Sequence, residues 1–60
     1  MDMQHVHQYA RKLIQSHGSK AEVEAANRQQ EAERTGDRRD AETWRRIRAS
    51  VRELRPARQG

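Results

Sequence analysis

Large apolar side chains are few in this 60-residue chain, and they recur at the spacing of an α-helix. Two stretches follow the i, i+3, i+4, i+7 pattern, which places side chains on one helical face. Their members are Val6, Tyr9, Leu13 and Ile14 in the first stretch and Trp44, Ile47, Val51 and Leu54 in the second. No stretch alternates with the period of two that is typical of a half-buried strand. The spacing therefore predicts an all-α protein without a β-sheet.

Glycine, serine and aspartate divide the chain into three helical segments. Gly18 and Gly36 favour the left-handed conformation that ends a helix. Ser19 and Glu22 have the spacing of a capping box at the start of the second segment. Asp37 is a favourable N-cap for the third segment, because its carboxylate can accept a hydrogen bond from a free backbone N–H group.

The same signals set the outer limits of the predicted fold. Asp2 is placed to cap the first helix, and Pro56 ends the third because proline disfavours helix in the residue before it. Short glycine-containing turns between helices predict an up-down arrangement of three helices, a leading helix followed by a helical hairpin. We expect residues 1–56 to form a single small helical domain and residues 57–60 to form a frayed tail.

The second segment has an unusual apolar stripe, formed by Ala21, Ala25 and Ala32 with Gln29 beside it. Small side chains allow a neighbouring helix to approach closely. Acidic residues border this stripe on both sides: Glu22 and Glu33 on one, Glu24 and Glu31 on the other. A narrow apolar stripe between charged margins is typical of a helix that pairs with another along its length.

The small number of large apolar residues predicts that the chain associates with another chain. Burying one such side chain contributes about 1.5–3 kcal/mol, whereas ordering each residue costs about 1.5 kcal/mol. The sequence contains no cysteine, so no disulfide can offset this deficit. We therefore expect the fold to be completed by oligomerisation through its apolar helix faces. The predicted interface residues are Val6, Leu13, Ala25, Ala32, Trp44, Ile47, Val51 and Leu54.

Four arginines form a lane along the third helix, beside its apolar stripe: Arg45, Arg48, Arg52 and Arg55. The favoured interpretation is that this lane pairs with the acidic margins of the second helix, within the chain or across a dimer, because opposite charges that flank an apolar stripe orient helix pairs. In the alternatives, the lane contacts the phosphates of a nucleic acid or an acidic protein partner. A helix-turn-helix reader is disfavoured, because a long second helix suits antiparallel packing better than a short crossing.

The residues do not indicate a catalytic or metal site. On a helix His5 and His7 point about 200° apart, and His17 lies more than two turns further along the chain. The serines have no recognisable His/Asp arrangement, and the chain has no glycine-rich phosphate loop. We expect a non-enzymatic protein with no cofactor, no metal and no small-molecule substrate.

The sequence also argues against a membrane location. It contains no apolar run long enough to cross a bilayer, and its first residues lack the apolar stretch of a signal peptide. A basic amphipathic helix can lie on anionic lipid, but Glu42 and Glu53 occupy the far face of the third helix. We therefore expect a cytoplasmic protein.

A His-Gly pair, an alanine-rich segment and a Gly-Asp turn follow one another before an Ala…Trp-Arg-x-Ile segment. The positions are His17-Gly18, Ala21, Ala25-Ala26, Gly36-Asp37, Ala41, Trp44-Arg45 and Ile47. In this order the chain resembles short uncharacterised helical proteins of alphaproteobacteria. The resemblance implies the same helical fold and carries no assigned activity. More weakly, the second and third segments resemble a tetratricopeptide hairpin, although arrays of that kind need several repeats.

Taken together, these features predict a small protein–protein interaction module, such as an adaptor, a regulator or an assembly subunit. Self-association as a homodimer through the apolar helix faces is the expected mode. The alternative function is nucleic-acid binding by Arg45, Arg48, Arg52 and Arg55.

Overall fold

The computed structural model describes residues 3–54, and the regular elements in this range are all helical. Helix α1 spans Met3–His17, α2 spans Ala21–Thr35 and α3 spans Arg38–Leu54. A short 3-10 turn, Gly18–Lys20, joins α1 to α2. The described residues contain no strand, so the all-α prediction is confirmed for them, together with the predicted hairpin of the second and third helices.

Several sequence predictions fall on residues that the structure does not describe. The predicted Asp2 cap, the predicted stop at Pro56, the frayed tail at residues 57–60 and the last arginine of the lane, Arg55, all lie outside residues 3–54. Side chains are described for residues 5–54. Completion of the fold by oligomerisation stays a prediction.

The core lies where α3 packs against both of the other helices, more extensively than α1 and α2 pack against each other. Its buried residues are Val6, Ala10 and Leu13 from α1, Ala21 and Ala25 from α2, and Ile47 and Val51 from α3. Because α2 contributes only alanines to this cluster, the large side chains of α3 fill the space between the helices. The half-buried side chains of Ile14 and Trp44 pack against the edge of the core.

The junction between α1 and α2 differs from the sequence prediction. Gly18 adopts the expected left-handed conformation, with φ +58°. However, Ser19 lies inside the 3-10 turn and no side chain caps α2, so the predicted capping box of Ser19 and Glu22 is wrong. The turn replaces the cap, since the backbone N–H of Ala21 donates to the carbonyl of Gly18.

The junction between α2 and α3 agrees with the prediction. Gly36 is left-handed, with φ +82°, and its N–H donates to the Glu33 carbonyl at 3.2 Å. The N–H of Asp37 donates to the Ala32 carbonyl at 2.9 Å, which completes the hydrogen-bond pattern of a Schellman motif. Asp37 Oδ1 then accepts a hydrogen bond from the N–H of Asp40 at 3.0 Å, as an N-cap does.

Truncation of Ile47 tests the core. Ile47 is only 1% exposed, and removing its side chain beyond Cβ is expected to cost about 2–5 kcal/mol. Domains of this kind have roughly 0.05–0.15 kcal/mol of stability per residue, so Ile47→Ala should lose most of its helical circular dichroism at room temperature. Val23 is 57% exposed, and Val23→Ala is the matched control. Equal stability of the two variants would contradict this core.

Replacement of Asp37 tests the start of α3. Asp37→Ala should lower the free energy of unfolding by about 1 kcal/mol, because the N–H of Asp40 loses its acceptor. Asp37→Asn should stay close to the wild type, because asparagine caps helices about as well as aspartate. Urea titrations followed by circular dichroism measure both variants; a loss of stability in Asp37→Asn as large as that in Asp37→Ala would argue against the cap.

Candidate functional site

Most of the predicted interface residues lie in the chain's own core. Six are buried, with at most 8% of their surface exposed: Val6, Leu13, Ala25, Ala32, Ile47 and Val51. They leave almost no surface for a partner, because α1 and α2 of the same chain cover the apolar face of α3. Of the remaining two, Trp44 is half-buried and Leu54 is 36% exposed. Among the predicted interface residues, these two keep surface that another chain could contact.

The three helices bring one residue each to a cluster on the surface, formed by Tyr9, Arg28 and Trp44. The ring centroids of Tyr9 and Trp44 lie 5.4 Å apart with an interplanar angle of 89°, so the rings meet edge to face. The guanidinium carbon of Arg28 lies 5.5 Å from the centroid of the Trp44 ring. Both distances fall in the ranges of favourable aromatic and cation–π contacts. We call these three residues the Trp44 cluster.

The Trp44 cluster is stable in place and still accessible. Trp44 packs against the core on one side, whereas Tyr9 is 40% exposed and the Arg28 side chain is 57% exposed. Arg28 is also held in place by its own helix, because its Nε–H donates a hydrogen bond to Glu24 Oε2 at 2.9 Å. Tryptophan, tyrosine and arginine are the residue types that most often dominate the binding energy of protein interfaces.

Sequence reasoning identified Trp44 and missed the other two members. Tyr9 belongs to the apolar stripe predicted for the first helix, and no pattern in the sequence singled out Arg28. The turn at Gly36 could have predicted the contact between Arg28 and Trp44, because each of these residues lies eight positions from the turn. In an antiparallel hairpin, positions equally far from the turn face each other.

Of the three lane arginines that the structure describes, one pairs with α2. Arg52 Nε lies 3.5 Å from Glu22 Oε2 on α2, as predicted. Arg45 Nη1 instead lies 3.5 Å from Glu42 Oε1 of its own helix. Arg48 makes no ion pair or hydrogen bond with any residue in the range 3–54. Within the chain, the predicted pairing with the acidic margins of α2 is therefore wrong for Arg45 and Arg48, and pairing across a dimer stays a prediction.

Local geometry explains this difference. The other carboxylates of α2 bond to neighbours on the same helix: Glu24 to Arg28, Glu31 to Arg34 and Glu33 to Gln29. Side chains three or four residues apart on one helix are already adjacent, so these pairs form without any contribution from α3. Exposed ion pairs of this kind contribute about 0.2–1 kcal/mol each. Carboxylates of another molecule can therefore displace them at small cost.

Other features of the described residues are less informative. A shallow depression of about 200 Å³ borders Tyr9 and is lined by His5, Gln8, Tyr9 and Lys12. Within the described part of the chain, no three His, Asp or Glu side chains are arranged to hold a metal ion. The hydroxyl of Ser50 is buried without a hydrogen-bond partner there. None of the helices described is both long and apolar enough to span a membrane.

Comparisons with known proteins found no relative for this chain. No protein-family model matches it, and no curated protein or solved structure is detectably similar to it. The resemblance to short alphaproteobacterial helical proteins therefore stays a prediction. Functional inference has to rest on the geometry described above.

Removal of the Arg28 guanidinium tests the geometry of the Trp44 cluster. Arg28→Ala should uncover one face of the indole, so that acrylamide quenches Trp44 fluorescence more strongly and the emission moves to longer wavelength. The loss of an exposed cation–π contact should lower stability by about 0.5–1 kcal/mol. Arg34→Ala removes another arginine of α2 that pairs with its own helix and is the control. Identical quenching in both variants would show that Arg28 does not cover Trp44.

Proposed function

We propose that this protein is a small non-enzymatic protein–protein interaction module that contacts its partner through the Trp44 cluster. The observation that carries the proposal is the convergence of Tyr9, Arg28 and Trp44 from three different helices on one accessible surface. A contact surface built from three packed helices is held rigid before binding. Less conformational entropy is then lost on association, which favours affinity.

Aromatic side chains at the surface of so small a domain support this proposal. Tyr9 and Trp44 are the only aromatic residues of the chain, and neither is fully buried. In a chain with few large apolar residues, complete burial of both rings would have stabilised the core more than their position at its rim does. Their position at the rim instead makes them available to a second surface, where aromatic residues are enriched in the buried centres of interfaces.

Self-association as a homodimer, which the sequence predicts, is also part of the proposal. The apolar helix faces expected to form a dimer are occupied within the chain, so we place the dimer contact at Tyr9, Trp44 and Leu54, which remain accessible. Leu54 borders a second shallow depression with Ile14 at the C-terminal ends of α1 and α3. The interface of a homodimer formed through these residues would be smaller than the interface expected from the sequence.

Nucleic-acid binding is the alternative, and one observation favours it. Arg45 and Arg52 are more than two-thirds exposed, and Arg48 has no partner among the described residues. Exposed arginines on one helix are the electrostatic feature that phosphate binding requires. Binding of this kind should weaken steeply as salt rises, because bound counterions are released.

Affinity capture with the full chain as bait tests the proposal. Tyr9→Ser removes an exposed aromatic ring from the Trp44 cluster, and Val23→Ser removes an exposed apolar side chain outside it. We expect Tyr9→Ser to weaken recovery of partners from host-cell extracts, or self-association in sedimentation velocity, by at least about tenfold. Val23→Ser should behave like the wild type. Circular dichroism checks that both variants keep their helices.

Two outcomes would contradict the proposal. Capture of the same proteins in the same amounts by both variants, with an unchanged sedimentation coefficient, would show that the Trp44 cluster is not a contact surface. Salt-sensitive nucleic-acid binding that is lost in Arg48→Glu and unaffected in Tyr9→Ser would support the alternative instead.

A further inference from the structure

We infer that the partner of the Trp44 cluster is a carboxylate-rich segment of another protein that also carries a large apolar side chain. In this arrangement the apolar side chain packs against Tyr9 and Trp44, while acidic side chains bind Arg28 and Arg48. The inference rests on the proposed function and deepens it, because it names the chemistry of the partner.

The charge of the surface around the cluster argues against a second copy of this chain. Helix α3 carries six arginines and three acidic residues, and the whole chain has a net charge of +4. A second copy docked through the same helix would bring these arginines together, and like charges across an interface are unfavourable. A partner rich in carboxylates would instead be attracted to this face.

Arg48 supplies a cation directly beside the aromatic rings. It lies four residues after Trp44 on α3, and side chains at this spacing are neighbours on a helix surface. No residue in the range 3–54 pairs with Arg48, so its guanidinium is available to an incoming carboxylate. Its position next to a half-buried indole provides an apolar contact and a charged contact within one short segment of a partner.

Arg28 shows how a carboxylate is bound at this site. Its Nε donates to Glu24 Oε2 at 2.9 Å while its guanidinium lies over the Trp44 ring. A guanidinium has five N–H donors, and the Nε contact with Glu24 leaves the Nη groups available for another carboxylate. The intramolecular pair therefore has the chemistry that we assign to the partner contact: a carboxylate held by an arginine that covers an aromatic ring.

Carboxylates next to the lane arginines on either side of Arg48 favour an acidic peptide over a nucleic acid. Glu42 lies 3.5 Å from Arg45, and Glu22 lies 3.5 Å from Arg52. A phosphodiester backbone places a negative charge at every nucleotide, so it binds best to an uninterrupted basic surface. Glu42 on α3 and Glu22 on α2 would repel such a backbone on both sides of Arg48. A peptide can place its few carboxylates at Arg28 and Arg48 alone.

The depression beside Tyr9 extends the surface onto α1. It has a volume of about 200 Å³ and is lined by His5, Gln8, Tyr9 and Lys12. Lys12 adds a cation at its rim, so the depression also combines an apolar wall with a positive charge. A partner segment that crosses Trp44 and Tyr9 would find the same pair of features repeated along its path.

Synthetic peptides test the chemistry of the partner directly. The first probe is a short helical peptide of leucine and glutamate without tryptophan, and its matched control has glutamine in place of every glutamate. An oligothymidylate of similar length is the nucleic-acid probe. Trp44 is the only tryptophan of the chain, so its fluorescence reports binding of each probe without a label.

Two charge-reversal variants separate a local site from general attraction. Arg48→Glu and Arg39→Glu change the net charge by the same amount. The two residues are nine positions apart on α3, which places them on opposite sides of the helix. We expect the glutamate peptide to bind the wild type and Arg39→Glu with similar affinity, and to bind Arg48→Glu at least about tenfold more weakly. The glutamine peptide should bind the wild type at least about tenfold more weakly than the glutamate peptide.

Each other result overturns the inference. Equal loss of binding in both arginine variants would indicate non-specific attraction, and equal affinity of the two peptides would exclude recognition of carboxylates. Tighter binding of the oligothymidylate than of the glutamate peptide would assign the surface to nucleic acid. A concentration-dependent mass that changes in Tyr9→Ser would assign it to a second copy. If the peptide fails while Tyr9→Ser still abolishes partner capture, the proposed function stands and only the acidic partner is rejected.

Discussion

The packing of one large apolar face on α3 against the small side chains of α2 and the buried face of α1 determines the rest of the structure. Ile47 and Val51 occupy the space between the helices, and the alanines of α2 let the hairpin close tightly around them. With so few large residues available, α1 is needed to cover the remaining side of α3. The chain therefore closes its own core, and the apolar faces that might have joined two chains are used within one.

The two aromatic rings of the chain lie at the edge of this core. Tyr9 is 40% exposed, and Trp44 packs half-buried against the cluster that contains Ile47 and Val51. There they contact each other and Arg28, and the surface becomes both rigid and accessible. The surface that we propose as the contact site therefore lies at the edge of this core.

The start and the end of α2 show where local sequence signals predict the structure correctly and where they do not. At its end, the helix stop at Gly36 and the cap of Asp37 follow from backbone chemistry within a few residues, and both were predicted. At its start, Ser19 had the right spacing for a capping box, but the 3-10 turn after Gly18 already supplies the hydrogen bond. Two local hydrogen-bond patterns, a side-chain cap and a 3-10 turn, are compatible with the sequence there. The spacing of the residues does not determine the packing angle between α1 and α2.

The sequence alone determined the helical class, the number of helices, the turn at Gly36 and the stripes of apolar residues, because these depend on interactions between near neighbours. The tertiary structure decided whether the stripes face one another within the chain or remain open to a second chain. It also decided which arginines reach a carboxylate and which residues surround Trp44. These outcomes depend on the register and the angles between helices, which are set by the summed packing of many side chains that are distant in sequence.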